Sequence, residues 1–126
     1  MRLLLVLLIL FASIISFSFW TNHHLQASAG ELLQSIEQIE EGLQNNHWEQ
    51  AMAGTGQLEE TWGKKADWWP IVLDHQEIDN IEFSMAKTRE YISTKNDSLS
   101  RGQLSELKLM IKHIPEKESL KIKNIF

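Results

Sequence analysis

Two polar runs hold the side-chain types that could bind a metal ion or perform acid–base chemistry. Residues 74–77 read DHQE and residues 113–118 read HIPEKE. Imidazole nitrogens and carboxylate oxygens are the ligands that Zn²⁺ and other divalent ions accept from proteins without cysteine. The candidate metal ligands are Asp74, His75, Glu77, His113 and Glu116.

Helix capping is the favoured interpretation of the same residues. Asp74 followed by Glu77 forms a capping box at a helix start, and His113 suits a helix C-terminus, where its charge is favourable. The spacing matches no established metal motif, since His-Gln-Glu is not His-Glu-x-x-His. A metal or small-ligand sensor is therefore the second hypothesis, and no cofactor is required.

No pattern in the chain predicts an enzyme. The sequence has no Gly-x-Ser-x-Gly elbow, phosphate loop or dinucleotide fingerprint. A hydrolase that used His75 and His113 would still need a nucleophile and oxyanion donors, for which there is no signal. The absence of cysteine excludes thiolate metal sites, disulfides and cysteine nucleophiles.

Length and charge restrict the class of protein further. The chain has 126 residues, enough for one domain. Its 12 basic residues include Arg2, so the rest of the chain carries 11 bases against 17 acids. Nucleic-acid affinity comes mainly from Lys and Arg neutralising phosphate, so this acidic domain is not expected to bind nucleic acid.

An apolar segment opens the chain. Residues 3–20 read LLLVLLILFASIISFSFW and carry no charge. As a helix they rise about 27 Å, close to the ~30 Å hydrocarbon layer of a bilayer. Aromatic residues including Trp20 end the segment, where rings prefer the membrane interface. We predict a transmembrane anchor over residues 1–21, with the lipid bilayer as partner of residues 3–20.

Charge around the anchor predicts its orientation in the cell membrane. Arg2 precedes it and the next basic residue is Lys64, so the positive-inside bias predicts a cytoplasmic N-terminus and an extracytoplasmic domain. The alternative is a signal peptide cut after Ala29, within the small-residue pattern Ala-Ser-Ala. The long apolar run favours an uncleaved single-pass anchor, and cleavage after Ala29 is left open.

The remainder predicts an all-α domain over residues 28–126, after a solvated neck over residues 22–27 that holds His23-His24. Apolar residues recur every three or four positions. Capping boxes predict helix starts at Ser28, Asn46 and Asp74, and Pro115 predicts the end of the last helix, with an apolar tail packing back. The predicted buried stripes are Leu32, Ile36, Ile39, Leu43; Trp48, Ala51 or Met52, Thr55, Leu58, Trp62; Ile78, Ile81, Met85, Thr88, Ile92; and Ser100, Leu104, Leu107, Ile111, Ile114.

Short connections predict an antiparallel four-helix bundle made of two αα-hairpins. Residues 56–60 (GQLEE) and 102–106 (GQLSE) show a weak internal sequence similarity that fits two hairpins of similar design. Gly54 and Gly56 weaken their helix, and close approach of a neighbouring helix is the expected compensation.

The connector between the second and third helices comprises residues 64–73, and one helical turn is expected within it. The up-down order places this connector at the membrane end. It also brings the two polar runs together. Tryptophan with lysine is typical of a loop that faces a membrane. The expected membrane-interface residues are Trp20, Lys64, Lys65, Trp68 and Trp69. For Trp62 the favoured role is closing the core, and for Trp68 and Trp69 both roles are open.

The whole chain resembles a bacterial family of unknown function, numbered forty-three sixty-three among such domains and found mainly in Gram-positive lineages. The resemblance lies in four parts of the chain: His47–Ala51, the tryptophan cluster (Trp62, Trp68 and Trp69), residues 74–81, and the ending His113–Glu116 with Asn124–Phe126. It implies an anchored helical domain and a membrane-protein partner, and it supplies no catalytic residues. The first functional hypothesis is accordingly a non-enzymatic, membrane-anchored accessory protein.

Overall fold

The computed structural model describes the backbone of residues 1–125 and the side chains of residues 1–116. Within that range all regular secondary structure is helical, which confirms the all-α prediction. The helices are α1 (Arg2–Gln44), α2 (Trp48–Gly63), α3 (Trp69–Val72), α4 (His75–Ser93) and α5 (Asp97–Ile125). α1 packs against α2 and α5, and α4 packs against the same two helices. The C-terminal half of α1 thus completes a four-helix bundle with α2, α4 and α5.

α1 is continuous across the predicted neck, so the expected helix start at Ser28 is wrong. The Ser28 hydroxyl donates to the carbonyl of His24, 2.8 Å away, and does not cap a helix end. Residues 22–27 contain neither glycine nor proline, and Leu25 is only 1% exposed. Because this extra turn buries an apolar side chain, continuing the helix is favourable where the capping pattern predicts a boundary.

The two hairpins end their first helices with the same turn. Asn46 (φ 57°) and Lys95 (φ 56°) adopt the left-handed conformation. The N–H of His47 donates to the carbonyl of Gly42 (2.7 Å) as that of Asn96 does to Tyr91 (2.9 Å). These are Schellman motifs. They confirm two αα-hairpins and correct the capping box predicted at Asn46, because α2 has no side-chain cap.

One of the two glycines flagged in α2 permits close helix packing. A Cβ added at Gly54 would lie 2.6 Å from Cγ1 of Ile39 on α1. α1 contributes a glycine of its own, since a Cβ at Gly42 would lie 2.7 Å from the backbone nitrogen of Ala51. The expectation for Gly56 is wrong, because a Cβ there meets nothing within 4 Å.

The predicted apolar stripes form the core. All their members are buried except Trp48, Met52 and Ile78, which are half-buried. The connector forms the single short helix α3, as its one expected turn. Asp74 caps α4, with its carboxylate accepting from the N–H of Glu77 at 2.8 Å. The 3.6-residue periodicity therefore identifies the inward face of each long helix.

Pro115 lies inside α5, which continues to Ile125, so the predicted stop is wrong. Proline lacks the N–H that would bond the carbonyl of Ile111. Ile111 and Ile114, in the turn before the proline, are almost fully buried, so α5 is packed in the bundle up to this point. The side chains of the predicted apolar tail (Leu120, Ile122, Ile125 and Phe126) lie outside the described residues.

Replacing Pro115 with alanine is expected to stabilise α5 by up to about 3 kcal/mol, because proline costs that much in a helix interior. Far-ultraviolet circular dichroism of the full chain in detergent would show a raised melting temperature. Lys112→Ala, at an exposed site on the same helix, is the control and should change little. A melting temperature that falls in Pro115→Ala would contradict the expectation.

Candidate membrane-proximal site

Three rings meet where α1 passes from its apolar segment into the bundle. His24 stacks on Trp20, with ring centroids 5.4 Å apart and planes at 7°. Trp68, from the connector, meets the edge of both: its centroid lies 5.1 Å from that of His24 and 6.4 Å from that of Trp20. We call Trp20, His24 and Trp68 the aromatic junction. It confirms that the connector lies beside the end of the apolar segment.

The sequence predicts a solvated His23-His24 pair, whereas the structure places His24 against Trp20 and Trp68. A signal was available, since Trp20 and His24 are four residues apart and side chains at this spacing share a helix face. The error followed from the predicted neck, because i,i+4 neighbours are meaningful only within a continuous helix. His24 is half-buried by the two tryptophans, whereas His23 is exposed.

The other two tryptophans of the cluster close the core. Trp62 and Trp69 stack with centroids 4.5 Å apart and are 5% and 1% exposed. The indole N–H of Trp69 donates to the carbonyl of Trp62 at 2.9 Å, and that of Trp62 donates to Glu82 at 3.1 Å. The favoured core role of Trp62 is confirmed. Of the two roles left open for Trp69, the structure shows the core role, because its ring lies inside the bundle.

Lys64 and Lys65 also differ in exposure: the side chain of Lys64 lies at the surface, and that of Lys65 packs against α1. The ammonium of Lys65 donates to the hydroxyl of Ser28 and lies 3.9 Å from the carboxylate of Glu31. Its side chain is 21% exposed, whereas that of Lys64 is 70% exposed and faces Glu60, one turn earlier on α2. Lys65 therefore fastens the end of α2 to α1, and Lys64 is left at the surface.

The two polar runs do come together, as the topology predicts. Glu77 and His113 line one cleft of about 180 Å³ between α4 and α5. The other lining residues are Leu73, Asn80, Ile81, Met110 and Ile114. The imidazole of His113 also lies 3.1 Å from the carboxylate of Glu116. Apolar side chains form most of the wall, so the cleft is an apolar one with a polar rim.

The five candidate ligands do not form a metal site. Across residues 1–116, no group of three or more histidine and acidic side chains is placed to hold a metal ion. Asp74 serves as the cap of α4, and His75 is exposed. The metal-sensor alternative is therefore not supported, and capping explains Asp74.

These features define a helical bundle with one N-terminal helix long and apolar enough to cross a membrane. The chain belongs to a family described as Domain of unknown function (DUF4363), which matches residues 19–125. No match was found among curated proteins or among solved structures. The matched range contains the whole aromatic junction and the connector, so both are parts of the family domain.

Proposed function

We propose that this chain is a non-enzymatic accessory protein, anchored by a single span in the cell membrane, whose bundle binds a membrane-protein partner on the outer face. The observation that carries the proposal is the division of α1 into two halves. Its large apolar side chains up to Trp20 are mostly exposed, whereas Leu25, Ala29 and Leu32 are buried in the bundle.

The exposed half of α1 needs an apolar environment. Of its most apolar eighteen-residue window, none is buried against the described part of the chain. The exposed side chains include Leu3, Leu4, Leu5, Leu7, Leu8, Ile9, Leu10 and Phe11. So large a contiguous apolar surface is not found on soluble monomers, and lipid is the partner that covers a single helix on all sides.

The packing of the segment before Ala29 supports the proposal that the anchor is retained. Cleavage after Ala29 would remove both Leu25 and Ala29, which are 1% and 3% exposed, and the remaining part of α1 would begin at Gly30. The bundle would lose a full turn of its core. The charge asymmetry between Arg2 and Lys64 supports the cytoplasmic N-terminus.

Topology is tested with the full chain in bacterial cells, carrying a C-terminal reporter. We expect the protein in the carbonate-washed membrane fraction, at full mass, with the reporter accessible to protease from outside. Leu8→Arg combined with Ile9→Arg alters only the exposed apolar half and should abolish membrane retention. A cytosolic reporter, or a released product starting at Gly30, would overturn the proposed topology.

The partner is tested by photo-crosslinking from exposed bundle positions such as Phe83 and Leu109, which are 62% and 57% exposed. A crosslink to an integral membrane protein, lost when the partner is deleted, is the expected result. The matched control places the same probe at Leu107, which is 0% exposed. If no exposed position gives a crosslinked protein under any growth condition, the accessory role is overturned.

A further inference from the structure

We propose that α3 is a second membrane contact, in which Ile71 and Pro70 enter the boundary between lipid headgroups and acyl chains. This inference rests on the proposed function, since it requires α1 to span the bilayer. The proposed partner of this exposed face of α3 is the lipid surface itself. The proposal concerns the base of the bundle, which the anchor alone would leave facing the headgroups.

The height of α3 above the lipid follows from the aromatic junction. Trp68 contacts Trp20 and His24, and α3 begins at the next residue. Trp20 and His24 are separated by one turn, a rise of about 6 Å. The interfacial layer on each side of the hydrocarbon is about 5–8 Å thick. α3 therefore lies at the depth of this layer when Trp20 is at its edge.

α3 has an inner and an outer face. Trp69 and Leu73 are 1% and 6% exposed and belong to the hydrophobic core. Ile71 is 75% exposed, more than any other large apolar side chain in the described residues from 21 to 116. Trp69 stacks on Trp62 in the last turn of α2, and the preceding Trp68 contacts Trp20 and His24, so α3 lies at the end of the core beside the apolar half of α1. In the proposed arrangement this exposed face, opposite Trp69, is the one that meets the membrane.

The charges around α3 indicate an apolar contact. Lys64 is exposed but faces Glu60, and Asp67 is exposed in the same connector. The acids offset the attraction of Lys64 for anionic lipid, which acts only within a Debye length. Insertion of Ile71 is thus expected to need no anionic lipid and to persist at high salt.

The experiment uses the absence of cysteine from the chain. Full-length Ile71→Cys carries one environment-sensitive fluorophore and is reconstituted in phosphatidylcholine vesicles. We expect a blue-shifted probe, quenched several-fold more strongly by lipids brominated near the headgroup than the same probe in Phe83→Cys, which is 62% exposed on α4. Adding anionic lipid or salt should leave the quenching unchanged.

A third labelled variant, Leu8→Cys, separates the two proposals. Quenching at position 8 by deep-brominated lipids, with position 71 as water-exposed as position 83, would overturn the α3 contact and leave the anchor intact. In that case the outer face of α3 would be free for a protein. If position 8 is not quenched, the single-span function fails and the α3 proposal fails with it.

Discussion

Replacing Trp69 with alanine is expected to lower the free energy of unfolding of the bundle by about 3–5 kcal/mol, the cost of emptying the site of a buried tryptophan. The ring is 1% exposed, stacks on Trp62 and donates to that residue's carbonyl. Small domains are stable by only about 5–15 kcal/mol, so this change removes much of the margin. Guanidinium unfolding of the full chain in detergent, followed by circular dichroism, measures it.

Two variants show which part of the effect is packing. Trp69→Phe keeps an aromatic ring but loses the indole N–H, so it should cost clearly less than alanine does. Trp20→Ala removes the same side chain from a site that is 56% exposed, so the free energy of unfolding should stay almost unchanged. A Trp69→Ala chain that is as stable as Trp20→Ala would refute the account of the stacked pair as the base of the core.

Adding one methyl group at Gly42 should destabilise the bundle by about 1–3 kcal/mol, the usual cost of overpacking. The new Cβ would lie 2.7 Å from the backbone nitrogen of Ala51, and backbone cannot rotate away. Better helix propensity returns at most about 1 kcal/mol. Equilibrium unfolding of Gly42→Ala beside the parent chain measures the net effect.

Gly56→Ala is the matched control, because a Cβ there meets nothing within 4 Å. It should raise stability by up to about 1 kcal/mol through helix propensity alone. The two alanine variants therefore differ in sign. Equal stabilisation in both would show that α1 and α2 do not approach as closely as the packing of Gly42 on Ala51 requires.

Local periodicity predicted most of the bundle, and competing tertiary packing explains the misses. The pattern Ser28-x-x-Glu31 is the same inside a helix as at its start. What decides between them is whether the preceding turn has something to bury, and Leu25 does. At Pro115 the helix likewise continues where the local signal predicts a stop, although the proline leaves the carbonyl of Ile111 without its helical hydrogen bond. Neither outcome follows from local signals.

The adjacent residues Trp68 and Trp69 show why the site was harder to predict than the fold. Both precede Pro70 in a connector without periodicity. Successive residues in a helical turn point about 100° apart, so the placement of α3 sends Trp69 under the core and Trp68 against Trp20 and His24. The path of the connector determines that Trp69 enters the core and that Trp68 joins the aromatic junction.

Because α1 is unbroken, the proposed anchor and the bundle are joined by one continuous helix. No residue between Arg2 and Gln44 interrupts the helix, so there is no hinge between the proposed anchor and the bundle. A transmembrane helix tilts when the bilayer thins around it. If α1 spans a bilayer as proposed, the bundle would tilt with it by the same angle in a thinner membrane. The thickness of the bilayer would then set the distance of the hairpin turns at Asn46 and Lys95 from the membrane surface.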